Sequence, residues 1–96
     1  AYKTIYSFLD PVVPILSGST TTFVVSSGNI SKFNAGATLY VRKDDFSEVS
    51  GYVYITNVDT GTNTVTVNES FGFTPTSSHY VELIGFADGG SAYMIY

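Results

Sequence analysis

"YVYITNVDTGTNTVTV", residues 52–67, is the stretch that decides the fold. Its first seven residues alternate: Val53 and Ile55 share one face, and Tyr52, Tyr54 and Val58 share the other. Asp59 to Asn63 is rich in turn formers, with Gly61 placed to take a positive φ. Thr64–Val67 then returns with Val65 and Val67 pointing the same way. A period of two on both sides of a short polar turn is a β-hairpin, and a hairpin with one apolar face needs a sheet around it.

The flanking sequence supplies that sheet. Upstream, "FNAGATLYV" (33–41) places Phe33 to cap an open barrel end, Gly36 to turn the chain, and Leu39 and Val41 in the core. Tyr40 and Arg42 point the other way. "TTTFVV" (20–25) is a strand with Phe23 and Val25 on one face, and "ISKFNAG" is a loop with room for a single helical turn. Downstream, "DDFSEVSG" (44–51) is a polar connection whose Phe46 and Val49 are able to pack inward. Pro75 leads into "HYVELIGF" (79–86), with Val81 and Leu83 inward.

"DPVVPIL" (10–16) carries two prolines and reads as an irregular or edge segment, while "SAYMIY" (91–96) is a last strand or an arm. No window keeps apolar residues at helical spacing for two turns. The expected architecture is all-β: a small five- to six-stranded β-barrel or short sandwich with an extended N-terminal arm. Residues 1–16 form the arm or edge segment and 17–96 the single barrel domain.

Composition narrows the functions. The 96 residues contain no cysteine, so disulfides and thiolate chemistry are excluded. Charged residues are 12% and aromatics 16%, all Phe or Tyr; a surface short of charge and rich in tyrosine suits contact with protein. The net charge is −4, and the one basic pair, Arg42-Lys43, is followed at once by Asp44-Asp45. That leaves no cationic track for nucleic acid. No apolar run reaches the roughly 20 residues that span a bilayer, so neither nucleic acid nor membrane is an expected partner. "AYKTIY" reads as a start trimmed of its initiator Met, which implies synthesis in the cytoplasm.

No residue set points to catalysis, a cofactor or a metal. His79 is the only histidine and has no nucleophile elbow to serve; it reads as a solvent-exposed polar cap. Asp44, Asp45 and Glu48 lack calcium-loop spacing and read as a solvated loop. Asp59 and Asn63 are turn residues, and nothing places Glu69 and Glu82 across a cleft. The tyrosines carry more. Tyr40, Tyr52 and Tyr54 lie opposite the core residues of their strands, as a protein interface, a second core layer or a sugar-stacking platform. The absence of Trp weakens the last. Both chain ends are apolar: Tyr2, Tyr6, Phe8 and Leu9 at one, Tyr93, Ile95 and Tyr96 at the other. They pack on the barrel or reach a neighbouring subunit.

The run from Asn34 to Phe86 resembles the small barrels of tailed-bacteriophage virion proteins: decoration (cement) proteins, tail-tube and tail-tip domains, and fibre modules. The likeness rests on the Gly36 turn before a strand, the 55–67 hairpin, "FTP" (73–75) and the closing "VEL" (81–83). It implies a non-enzymatic virion protein made in the host cytoplasm. The leading expectation is a capsid decoration protein that binds the major capsid protein, or another virion protein, as a homo-oligomer such as a trimer. A tail or head–tail junction component, or a carbohydrate-binding module, are the alternatives. The resemblance brings no catalytic or metal residues.

Overall fold

The computed structural model describes residues 12–85. Seven strands make up these residues: β1 (Val12–Pro14), β2 (Ser17–Gly18), β3 (Thr22–Val24), β4 (Thr38–Lys43), β5 (Val53–Asp59), β6 (Thr64–Val67) and β7 (His79–Gly85). One 3-10 turn, Ile30–Lys32, precedes β4. All pairings are antiparallel, in the order β1-β7-β4-β5-β6-β3-β2. The fold is all-β, as the alternating runs predict.

The hairpin is the hinge of this sheet. The start of β5 pairs with β4 through Val53 and Tyr54, and the rest pairs with β6. A register shift between Ile55 and Asn57 marks a bulge at Thr56. An extra residue in one strand reverses the inside-outside alternation beyond it. Val53 and Ile55 are therefore buried, but Val58 also packs against the core instead of joining Tyr52 and Tyr54 outside. The turn differs from expectation too. Asp59 Oδ1 accepts from the N–H groups of Gly61 and Thr62 at 2.9 and 3.3 Å, and the left-handed residue is Asn63, with φ 57°. Asparagine tolerates that region better than most residues, so Gly61 is not needed for it. Gly36 is, with φ 91°.

Phe23 sits fully buried in the core, with the Phe33 ring edge-on at 5.4 Å and Phe71 at 6.2 Å. Leu39, Val41, Val65 and Val81 close around it from both halves of the sheet. The ends of the strand order, β1 and β2, are not paired with each other. They are joined instead by two residues of chain. Ile15 N–H donates to the His79 carbonyl at 3.0 Å, on the β7 side, and Leu16 N–H donates to the Val24 carbonyl at 2.8 Å, on the β3 side. One kinked segment, residues 12–18, thus runs between the two edges of a sheet that is not closed by a ladder, giving a barrel-like body. Pro14, lacking an N–H, stands next to the kink.

Within the expected arm or edge segment, residues 12–14 form an edge strand on β7. Val13 and Ile15 are 0% and 1% exposed and belong to the core, because the extended conformation that proline favours is also the one an edge strand uses. Residues 1–11 of the expected arm lie outside the described residues. The sheet has seven strands where five to six were expected, because residues 12–18 contribute two short ones.

The seam is tight at Gly18. A Cβ there would lie 2.5 Å from the Thr22 carbonyl oxygen and 3.2 Å from the Phe23 Cα. Both are backbone atoms, which a side-chain rotation cannot move aside. Gly18→Ala is expected to lower stability by about 1–3 kcal/mol, as overpacking does. Gly28→Ala, where a Cβ meets nothing within 4 Å, stays within about 0.5 kcal/mol of the parent. Denaturant titration of the two variants checks the difference.

Candidate functional site

The outward face of β1, β7, β4 and the start of β5 follows from the same alternation that fills the core. On β4, Tyr40 stands opposite Glu82 of β7, and Arg42 opposite Tyr80. Val12 and Pro14 flank Glu82 and Tyr80 on the other side. At the centre, Arg42 Nε donates to Glu82 Oε1 at 2.9 Å, and the Tyr40 hydroxyl donates to Glu82 Oε2. The Arg42 guanidinium also lies 4.3 Å from the centre of the Phe46 ring and 5.2 Å from that of Tyr80. The two opposite charges of this face are spent on each other, within a ring of aromatic carbon.

Burial acts to raise the Glu82 carboxyl; the hydrogen bonds from Tyr40 and Arg42 and the positive charge of Arg42 outweigh it and hold the group below its ordinary value. The same hydrogen bond to Glu82, with burial and the carboxylate's charge, raises the Tyr40 phenol.

Around this neutralised centre, large side chains stay in water. Tyr52 is 69% exposed, Phe46 55%, Val49 51% and Tyr54 50%. The Tyr40 and Tyr52 rings meet edge to face at 5.9 Å. Between them and the 44–49 loop lies a groove of about 370 Å³, walled by Tyr40, Tyr52, Phe46 and Val49 and floored by Ser50 and Gly51.

The groove's outer wall is held in shape. Phe46 has φ 63°, an uncommon conformation for a bulky residue, and its N–H donates to the Lys43 carbonyl. Asp45 accepts from the Ser47 N–H at 3.0 Å, and its contacts with Ser47 hold the carboxyl below the usual range. Lys43 N–H donates to the Glu48 carbonyl and Asp44 N–H to that of Ser78. The Ser50 hydroxyl accepts from Val41 N–H and donates to the Gly51 carbonyl.

His79 completes the clamp and is not the exposed cap its sequence position suggests; it is 2% exposed. Its Nδ1 faces the Thr76 N–H at 3.0 Å and accepts from it, so Nε2 carries the proton and donates to Glu48 at 2.8 Å. Phe73 stacks on the imidazole at 5.1 Å. Burial is tolerated because both ring nitrogens have partners.

The structure thus brings Tyr40, Tyr52 and Tyr54 onto one face, as the strand alternation implies. Phe46 and Val49 do not pack inward: the loop's turn directs them outward, a reversal carried by a backbone dihedral that hydrophobic patterning does not encode. Arg42 faces outward with Tyr40 as read, but its pairing with Glu82 and the place of Tyr80 beside it were missed; the signal available was the alternation of Tyr80 and Glu82 with Val81. Tyr2, Tyr6, Phe8, Leu9, Tyr93, Ile95 and Tyr96 lie outside the described residues. Among the described residues no group of three or more His, Cys, Asp or Glu converges to hold a metal ion. Comparison with known protein families, characterised proteins and solved structures finds no match to this chain.

An exposed aromatic sheet beside a preformed groove, with its charges already paired, can dock an apolar surface without stranding a charge. The carboxylate at its centre has a measurable signature. A Glu whose folded-state value is depressed contributes stability above the unfolded value, 4.5, and loses that contribution as pH falls through the folded value. Glu82→Gln is expected to be less stable than the parent at neutral pH, with the gap closing as pH drops below 4.5. Tyr40→Phe, which removes one of the hydrogen bonds that depress Glu82, keeps the same onset but shows a smaller acid-induced loss that is complete at higher pH. Urea unfolding across the acid range measures both.

Proposed function

We propose that this chain is a non-enzymatic structural protein of a tailed-phage virion, acting as a decoration (cement) protein on the outer head lattice, where it binds the major capsid protein. The observation that carries the reading is the face just described: four large apolar side chains at least half exposed on a rigid sheet and loop, around an internally compensated ion pair. Fully burying one such side chain contributes about 1.5–3 kcal/mol. Repeated over a symmetric lattice, a modest contact per subunit becomes firm attachment. Arg42 and Glu82 keep their partners on docking, so the face loses water without leaving a charge unpaired. The tailed-phage setting comes from the order of glycine turn, hairpin, "FTP" and "VEL" along the chain.

Expanded heads lacking this protein, prepared from the phage that encodes it, provide the test. Purified chain is expected to co-sediment with them to a fixed copy number per capsomer. Tyr52→Ser and Tyr54→Ser should weaken attachment about tenfold or more, as loss of interface aromatics does, while leaving thermal unfolding of the free protein unchanged. Attachment to tails alone would move the protein within the particle. Tyr52-dependent binding to glycans with no affinity for any particle would replace the proposal with a carbohydrate-binding one.

A further inference from the structure

The groove at the edge of the aromatic face has a chemistry narrower than the face as a whole. Its walls are Tyr40, Tyr52, Phe46 and Val49, and its floor is Ser50-Gly51. The loop that forms one wall also carries Asp44, Asp45 and Glu48, all exposed. Lys43 is half-buried at the loop's base, and Arg42 is committed to Glu82. The fitting occupant is therefore a short extended segment, mostly apolar and aromatic, carrying positive charge and no acid.

Residues 2–9 of this chain, "YKTIYSFL", have that composition: Tyr2, Ile5, Tyr6, Phe8 and Leu9 with a single cation, Lys3, and no carboxylate. The topology says which copy supplies them. β1 pairs Val12 with Glu82 and then Pro14 with Tyr80, so the chain runs along the face from the Glu82 row toward the Tyr80–Arg42 row, which adjoins the groove loop. Val12 lies in the row of Glu82, Tyr40 and Tyr52, and β1 traced backwards from it points away from Phe46 and Val49. The line from Val12 on β1 to Tyr52 beside β5 crosses β7 and β4, three strand spacings or about 14 Å. Asp10 and Pro11 span only about 7 Å when extended, so a chain's own residues 2–9 would have to turn back and cross its sheet to lie in its own groove. A second copy needs no such reversal, and a two-fold axis makes the exchange reciprocal.

We infer that the groove formed by Tyr40, Phe46, Val49 and Tyr52 is the seat for residues 2–9 of a second copy of this chain. The inference rests on reading the aromatic face as an assembly surface and names the occupant of one part of it. The exchange couples two subunits before they meet any lattice. Lys3 faces the acidic loop, and the aromatic side chains fill the groove.

Sedimentation equilibrium of the full-length chain tests this in solution, without capsids. The parent is expected to self-associate reversibly. Phe46→Ser in the groove, and separately the pair Tyr6→Ser and Phe8→Ser in the segment, should each raise the dissociation constant about tenfold or more. Mixing the groove variant with the segment variant should restore association, because an intact segment of one then meets the intact groove of the other. Lys3→Glu should weaken association at low salt and much less at high salt.

Near-ultraviolet circular dichroism of each variant reports whether the barrel remains folded; if Phe46→Ser unfolds it, Tyr52→Ser serves as the groove variant. A parent that stays monomeric at every concentration overturns the inference, as does an oligomer indifferent to both classes of variant or one not restored by mixing. The chain contains no tryptophan, so Phe8→Trp supplies a single fluorescent reporter. Its emission should shift to the blue as concentration rises; a shift independent of concentration would place the segment on its own chain and also overturn the inference. Loss of self-association with head binding intact would refute this inference alone. Intact self-association with no head binding would refute the decoration role alone.

Discussion

The structure depends on a change of partner between two adjacent residues. Ile15 gives its N–H to one edge of the sheet and Leu16 gives its N–H to the other. Without that crossing, β7 and β3 would each present an unpaired edge, a template for unwanted strand addition. A chain with 12% charged residues has few charges with which to guard such edges. The close approach at Gly18 lets the crossing segment lie against β3, and Pro75, fully buried, packs against it from the far loop. Closure is thus achieved by a single strand-length of chain rather than by a continuous ladder.

The seam and the aromatic face are mechanically linked through His79. Its carbonyl receives the Ile15 N–H at the seam, while its ring holds Glu48 of the groove loop and the Thr76 N–H. One residue therefore ties the closure of the barrel to the shape of the groove wall. A geometry of this kind needs no metal or disulfide. It uses the two nitrogens of a neutral imidazole, each with one role, under a stacked Phe73. The Arg42–Glu82–Tyr40 cluster does the corresponding work in the middle of the face, fixing Tyr40 so that its ring forms part of the groove.

Much of this was legible from residue order, and the reasons for the exceptions are physical. Alternation placed Leu39, Val41, Val53, Ile55, Val65, Val67, Val81 and Leu83 inside, where they are buried. It failed at Val58 because a bulge at Thr56 inserts a residue that the partner strand does not match, a property of two strands together rather than of either sequence. Proline content suggested that residues 10–16 stand apart, yet an edge strand accommodates proline without losing an inward bond, so Val13 and Ile15 are core. His79 looked like a cap because polar residues usually begin strands in solvent; its buried partners, Glu48 and Thr76, come from a distant loop and from the preceding turn. Of the face, the three tyrosines were readable from strand parity, whereas Phe46 and Val49 depended on the dihedral path of a loop.

That path carries its own consequence. A phenylalanine with φ 63° sits in backbone territory that glycine or asparagine occupies with less strain, and such placements cost of order 1–3 kcal/mol. The ring lies against Arg42, yet more than half of the residue's surface is left in water. Phe46 therefore holds an apolar ring in water at a cost in backbone strain, and relaxing that backbone would dismantle the groove's outer wall.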